Sequence, residues 1–221
     1  MRSVRIWFSK TGTAKYISHL DLTRCLIRAF RRTDIPLWYT EGFNPHPHLV
    51  FGLSLPLGAA GLEETLDIRL ENDDYENGKI LEQLNKVTVP GISFLKISEP
   101  VYKPIEISFA EYEIHIPCRN ADKEKITEFI NGKIDSGSIL IEKKTKKKEI
   151  KIINVCEHIS DVSFDFSNEN IVFNFTLPAG NDFTVNPVSF CNALFENSDI
   201  DPHSCLIKRL KLLIKDRTEY K

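Results

Sequence analysis

Two histidines stand where an apolar core would not place them. His19 lies in I-S-H-L-D-L and His46 in E-G-F-N-P-H-P-H, both polar and turn-rich. A neutral imidazole can accept a proton, return one or ligate a metal. The spacing therefore offers acid–base chemistry with His19, Asp21 and His46 as candidate catalytic groups. The first turn of a helix disfavours imidazolium through the positive end of the macrodipole, which suits His19 to accepting a proton. The same histidine also reads as a polar first-turn side chain packed beside an apolar stripe, and both readings stand. His46-x-His48, with His19 or Asp21, would make a metal set. H-x-H alone is a weak signal, and no metal or other cofactor is assigned. Gly42 permits unusual dihedrals, while Pro45 and Pro47 restrict themselves and their predecessors. The loop is rigid, either to preorganise a site or for purely structural reasons.

Positive charge is the second chemical feature. Residues 1–32 hold eight Lys and Arg against Asp21 alone, although the whole chain carries −2. Arg24, Arg28, Arg31 and Arg32 fall on one side of a helical pattern in which Leu22, Cys25, Leu26, Ala29 and Phe30 form the other. A merely solvated face would usually mix in Glu and Lys. Guanidinium forks suit phosphates and carboxylates. Candidate nucleic-acid contacts are Lys10, Lys15, Arg24, Arg28, Arg31, Arg32, Asn44 and His48. A second basic run, 142–149, reads as a hairpin tip, either solvated or touching phosphate. Trp7, Phe8, Trp38, Tyr39 and Phe43 are available to stack on bases or to fill a core.

These groups need a scaffold, and the chain of 221 residues, 42% hydrophobic, is long enough to bury one. Five dispersed cysteines without a C-x-x-C pair fit reduced thiols better than disulfides, zinc or an iron–sulfur cluster. No run approaches the roughly 20 apolar residues of a membrane span, so a soluble, cytoplasmic protein is expected.

Alternation predicts a strand over 3–9, and S-x-x-D at Ser18 predicts a capping box opening the arginine helix. Strands are expected at 37–41, 48–53 and 65–71, a helix at 76–87 and a strand at 92–98. Pro100 and Pro104 bracket a linker. Beyond it come a strand at 108–116, a helix at 122–134, strands at 138–144, 149–155, 162–167 and 170–177, a helix from Asn186–Pro187, and a strand at 206–214. The order β-α-β…β-α-β occurs twice. It predicts an α+β protein of two tandem ferredoxin-like (split βαβ) units, 1–100 and 105–221.

F-S-K-T-G, I-S-H-L-D-L, I-P-L-x-Y-T-E-G-F-N-P-H-P and L-P-L-G resemble the radical-SAM-linked protein family, a bacterial domain of uncharacterised function. The resemblance extends through K-K-K-E-I-K-I to the N-P…K-R signature of 187–209. Its motif falls on Lys10, Gly12, Ser18, His19, Asp21, Gly42, Asn44, Pro45, His46 and Pro47. Position 48, Arg or Lys in that family, is histidine here. That weakens a metal role and leaves His48 as a cationic contact. Position 186, often Arg there, is Asn here, which brings no positive charge to a phosphate at that point. The resemblance implies a partner, a radical S-adenosylmethionine (SAM) protein with a cobalamin-binding region, and a role in modifying structured RNA, tRNA or rRNA. The chain has no three-cysteine cluster of its own for radical chemistry. An accessory RNA-recognition module is the leading expectation. The alternatives are a metal-independent RNA endonuclease with His19 as base, and a small metal-dependent hydrolase. Against the endonuclease, Gly180 is the last glycine and no C-terminal glycine-rich loop follows.

Overall fold

Strand alternation puts Val4, Ile6, Phe8 and Lys10 in phase along the first strand, β1 (Arg2–Lys10). The computed structural model describes residues 1–119, 122–144, 149–167, 169–180 and 182–221. After β1 come α1 (His19–Phe30), β2 (Leu49–Phe51), β3 (Ala60–Leu70), α2 (Asn77–Val87) and β4 (Ile92–Ser98). The second half runs β5 (Ile107–Pro117), α3 (Lys123–Asp135), β6 (Leu140–Lys144), β7 (Ile150–Asn154), β8 (Ser160–Phe166), β9 (Asn170–Pro178), α4 (Pro187–Leu194) and β10 (Leu206–Ile214). The protein is α+β, with a mostly antiparallel sheet.

That sheet runs β4-β1-β3-β10-β5-β9-β8, with β2 paired to β3 away from this path, while β6 and β7 form a separate hairpin. The first half thus has β4-β1-β3 plus β2, and the second has β10-β5-β9-β8. They meet in a short parallel pairing, Lys208 with Ala60 and Arg209 with Gly61. Val4, Ile6, Phe8, Leu22, Leu26, Phe30, Leu66, Ile68, Ile80 and Leu84 belong to one apolar cluster. The other takes Tyr112, Ile114, Phe173, Phe175, Phe190 and Leu194, together with Leu55 and Ala59 from the first half.

The expected elements appear with shifted ends. The strand expected at 65–71 begins at Ala60, because Gly61 and the acidic pair Glu63–Glu64 hide its start. The strand expected at 37–41 is reduced to isolated bridges, Leu37–Leu70 and Tyr39–Pro47. The box at Ser18 is half formed. Ser18 Oγ accepts from the Asp21 backbone N–H, but the Asp21 carboxylate accepts from the Ser18 hydroxyl instead of closing on its backbone. The tip of the basic run, 145–148, lies outside the described residues. Its neighbour Lys143 donates to the Thr184 carbonyl at 2.9 Å.

A buried charged row crosses the junction. Lys10 and Arg209 each pair with Gly61 from opposite sides. The Glu64 side chain folds over that glycine, where an added Cβ would meet Glu64 Oε1 at 2.3 Å. Only a residue without a side chain leaves room for the carboxylate between the two cations. Arg209 Nε donates to Glu64 Oε1 at 2.9 Å, and Nη2 donates to Oε2. Two further guanidinium N–H groups reach Leu53 O at 2.9 Å and Ser54 O at 3.3 Å. Glu64 is 4% and Arg209 1% exposed, so an unpaired member would be very unfavourable. Glu64→Ala should therefore cost about 3–5 kcal/mol in urea denaturation. A loss below about 1 kcal/mol would remove the row from the determinants of the fold.

Candidate functional site

Helix α1 begins at a polar edge and ends in a basic one. Leu22, Leu26, Ala29 and Phe30 are buried, and the opposite side carries the arginines. Arg24, Arg28, Arg31 and Arg32 line one groove of about 620 Å³ with Asp21, Cys25 and Val89. Cys25, expected in the apolar stripe, is only half-buried and faces this groove. The sole acid there is partly neutralised: Arg24 Nη1 lies 3.2 Å from Asp21 Oδ1. Bonds from Ser18 and Arg24 hold the Asp21 carboxyl below its ordinary range. Asp21 is thus an anion committed to Ser18 and Arg24. Arg32 donates to Val87 O, the last residue of α2, and so ties the groove's two walls together.

His19 sits at the other end of α1, over a different cleft. Its ring packs edge-on against Phe51 with centroids 4.7 Å apart. With Leu49, Val50, Gly52, Leu53 and Ser54 they enclose about 340 Å³. The buried row holds both walls of this cleft. Lys10 Nζ donates to Ile17 O at 2.7 Å, just before the turn that carries His19. Arg209 grips the carbonyls of Leu53 and Ser54. Burial, and then the Lys10 charge, lower the pKa of His19, against an opposing pull from Glu64. The expected depression is present, but desolvation leads it.

Lys10 itself corrects an expectation. It is 1% exposed and spends its ammonium inside the protein, so it is no surface contact for phosphate. Burial, and then Arg209, lower its pKa, with Glu64 opposing. Lys15 is half-buried, its ammonium 5.0 Å from the Tyr16 ring. The expected cationic contact His48 is half-buried and packs on Trp38 at 5.8 Å, its Nδ1 buried without a partner.

The His46 loop is fastened from within. Thr40 N donates to His46 O at 2.9 Å, and His46 N donates to Thr40 Oγ at 3.2 Å. His46 Nδ1 lies 3.0 Å from Thr40 Oγ and 3.1 Å from Asn44 O. A carbonyl only accepts, so Nδ1 carries the hydrogen. In the neutral ring Nε2 is then an acceptor. No contact joins His46 to His19 or Asp21. Among the described residues no three His, Cys, Asp or Glu side chains gather into a metal set, so the one weighed for His19, Asp21, His46 and His48 does not assemble there.

A family model matches residues 3–187 and is described as an uncharacterized protein conserved in bacteria (DUF2344). The chain belongs to that family. The match stops before β10, short of the C-terminal signature at 187–209, so Arg209 lies beyond it. No curated protein matches the chain. Among solved structures it is similar to a chain in the crystal structure of a Cbf5-Nop10-Gar1 complex, with 10% identity and a TM-score of 0.44. That alignment covers 95% of this chain and 48% of the other, so the chain spans about half the length of its match. The likeness is too distant to assign a fold or an activity.

Glu64 falls in no motif, and Arg209 enters only as the end of the K-R signature, yet each left a signal. Both are charged residues in phase with apolar ones, Glu64 with Leu66, Ile68 and Leu70, and Arg209 with Ile207. Their electrostatics are testable through His19. Its folded pKa lies below the unfolded value of about 6.5. As pH falls through that value the unfolded chain takes up a proton that the folded chain refuses, and stability is lost until the folded pKa is reached. An NMR titration should place the His19 midpoint below that of a free histidine, and Lys10→Met should move it upward. A wild-type midpoint at or above the free value would refute this electrostatic picture.

Proposed function

We propose that the protein is an accessory RNA-recognition module that holds structured RNA, tRNA or rRNA, for a radical SAM enzyme with a cobalamin-binding region. The observation that carries this reading is the groove of four arginines with a single, already bonded aspartate. Such a surface attracts a polyanion and offers guanidinium forks to phosphate oxygens. A small anion would need fewer charges than this length of helix presents. The partner class comes from the resemblance of F-S-K-T-G, I-S-H-L-D-L and E-G-F-N-P-H-P to the radical-SAM-linked domains. The five free cysteines accord with a reducing, cytoplasmic setting. No helix among the described residues is long and apolar enough to cross a membrane.

The scaffold in this reading is a pair of ferredoxin-like units, 1–100 and 105–221. What supports it is the strand order, in which the fourth, first, third and second strands lie side by side as β4-β1-β3-β2 and again as β10-β5-β9-β8. The β6–β7 hairpin is then an insertion in the second unit. Fold alone assigns no activity.

The test is a salt titration. Wild type should bind total host tRNA with an affinity that falls steeply with salt, and Arg24→Glu/Arg28→Glu should bind weakly and with a shallower slope. Every phosphate left without its cation lowers the slope by roughly 0.7–0.9. Equal, weak binding by both proteins would defeat the proposal.

A second reading has its own observation. His19, uncharged near neutral pH and open to a cleft, is a candidate general base for attack by a ribose 2′-hydroxyl. On the accessory reading, the protein incubated alone with host RNA, with and without divalent metal, leaves every fragment and nucleoside unchanged by mass spectrometry. Site-specific cleavage that disappears in His19→Ala would replace the accessory role with an endonuclease.

A further inference from the structure

The aromatic residues that the sequence offers for base stacking have separated fates. Trp7 and Phe8 are buried at 3% and 1% exposure, and Tyr39 is at the margin at 37%. Trp38 is half-buried between His48 and Arg69, its ring 4.9 Å from the Arg69 guanidinium. Phe43 is 105% exposed, more than any other large apolar side chain among the described residues. A phenyl ring held fully in water is unfavourable, and folding gains nothing from it. Its loop is nevertheless built. Gly42 takes φ +131°, a conformation L side chains rarely adopt. The Thr40–His46 bonds and the Tyr39–Pro47 bridge close the loop below the ring.

We infer that Phe43 is a stacking platform for an unpaired nucleobase of RNA, with its own loop reading the base edge. The inference rests on the RNA reading proposed above and names what part of the RNA this loop takes. The residues beside the ring decide between a base and an apolar protein pocket. Glu41, Asn44 and His46 of the same loop are exposed, as is Pro45, so hydrogen-bonding groups accompany the ring. Nδ1–H of His46 is used within the loop, which leaves Nε2 as an acceptor. The Glu41 carboxylate is a second acceptor, and the Asn44 amide both donates and accepts. Two acceptors suit the exocyclic amines of adenine, cytosine or guanine better than the carbonyl edge of uracil. A flat π face with polar groups at its rim is how single-stranded bases are held, splayed from their helix and stacked on an aromatic ring.

Full exposure keeps the test free of folding defects, since Phe43→Ala removes no packing. Binding of short fluorescein-labelled oligoadenylate, oligocytidylate and oligouridylate to the full chain should be measured by anisotropy at several salt concentrations. Phe43→Ala should weaken oligoadenylate and oligocytidylate roughly 5- to 150-fold, the equivalent of about 1–3 kcal/mol for one stacked base. The salt slope should stay unchanged, because every phosphate keeps its cation. Phe43→Trp should retain binding and Phe43→Leu should not, which separates stacking from simple burial. Oligouridylate should bind more weakly than the other two. If wild type binds RNA and Phe43→Ala matches it, this inference falls while the arginine groove stands. If wild type binds no RNA, both fall. Unchanged RNA binding with loss of capture of the radical SAM partner would make Phe43 a protein contact and overturn the inference.

Discussion

A carboxylate lying on a glycine holds this protein together. Glu64 fills the hole above Gly61 and meets Arg209 from one side, with Lys10 on the other. Removing charges from water is costly, and the pair persists only because every partner is in place. Arg209 spends four of its N–H groups on the carboxylate and on two backbone carbonyls of 53–54. Lys10 uses its ammonium on the turn before α1. The same row therefore sets the sheet junction and both walls of the His19 cleft. Structure and candidate chemistry share one electrostatic support.

That sharing explains the division of the surface. At one end of α1 burial, aided by the Lys10 charge and against the pull of Glu64, keeps an imidazole uncharged, which makes it an acceptor. At the other end arginines crowd a groove and invite anions. The helix carries the His19 cleft at one end and the arginine groove beside its exposed face, and the apolar stripe Leu22–Leu26–Phe30 fixes their relative direction. The proline loop adds a third element whose internal bonds are spent on rigidity, leaving Nε2 of His46 and the ring of Phe43 to the outside.

Much of the fold was legible because its signals are local. Alternation marked β1, Ser18 marked the start of α1, and Asn186–Pro187 marked α4, where Asn186 Oδ1 accepts from Val188 N at 2.9 Å. The arginine groove was half legible. Helical periodicity gathers Arg24, Arg28 and Arg31, but it says nothing of Val89 or of the α2 carbonyl that ties down Arg32. The burial of Lys10 was overlooked, although Lys10 stands in phase with Val4, Ile6 and Phe8. A lysine before a glycine turn looks like surface. Charge at an apolar strand position is the one signal that points to such a row, and Glu64 and Arg209 both show it.

The Glu64–Arg209 pairing spans 145 residues of sequence. During synthesis the first half emerges with β3 already carrying its carboxylate among apolar neighbours, while the guanidinium that neutralises it has yet to be made. Segment 53–59, whose Leu55 and Ala59 pack in the second cluster, must wait as well. Closing so long a loop is entropically unfavourable until its bonds form. The nascent first half can pair β3 with β1 and β2, but the Ala60–Gly61 edge and the carboxylate above it wait for the last strand. The chain becomes a single cooperative unit only when β10 docks.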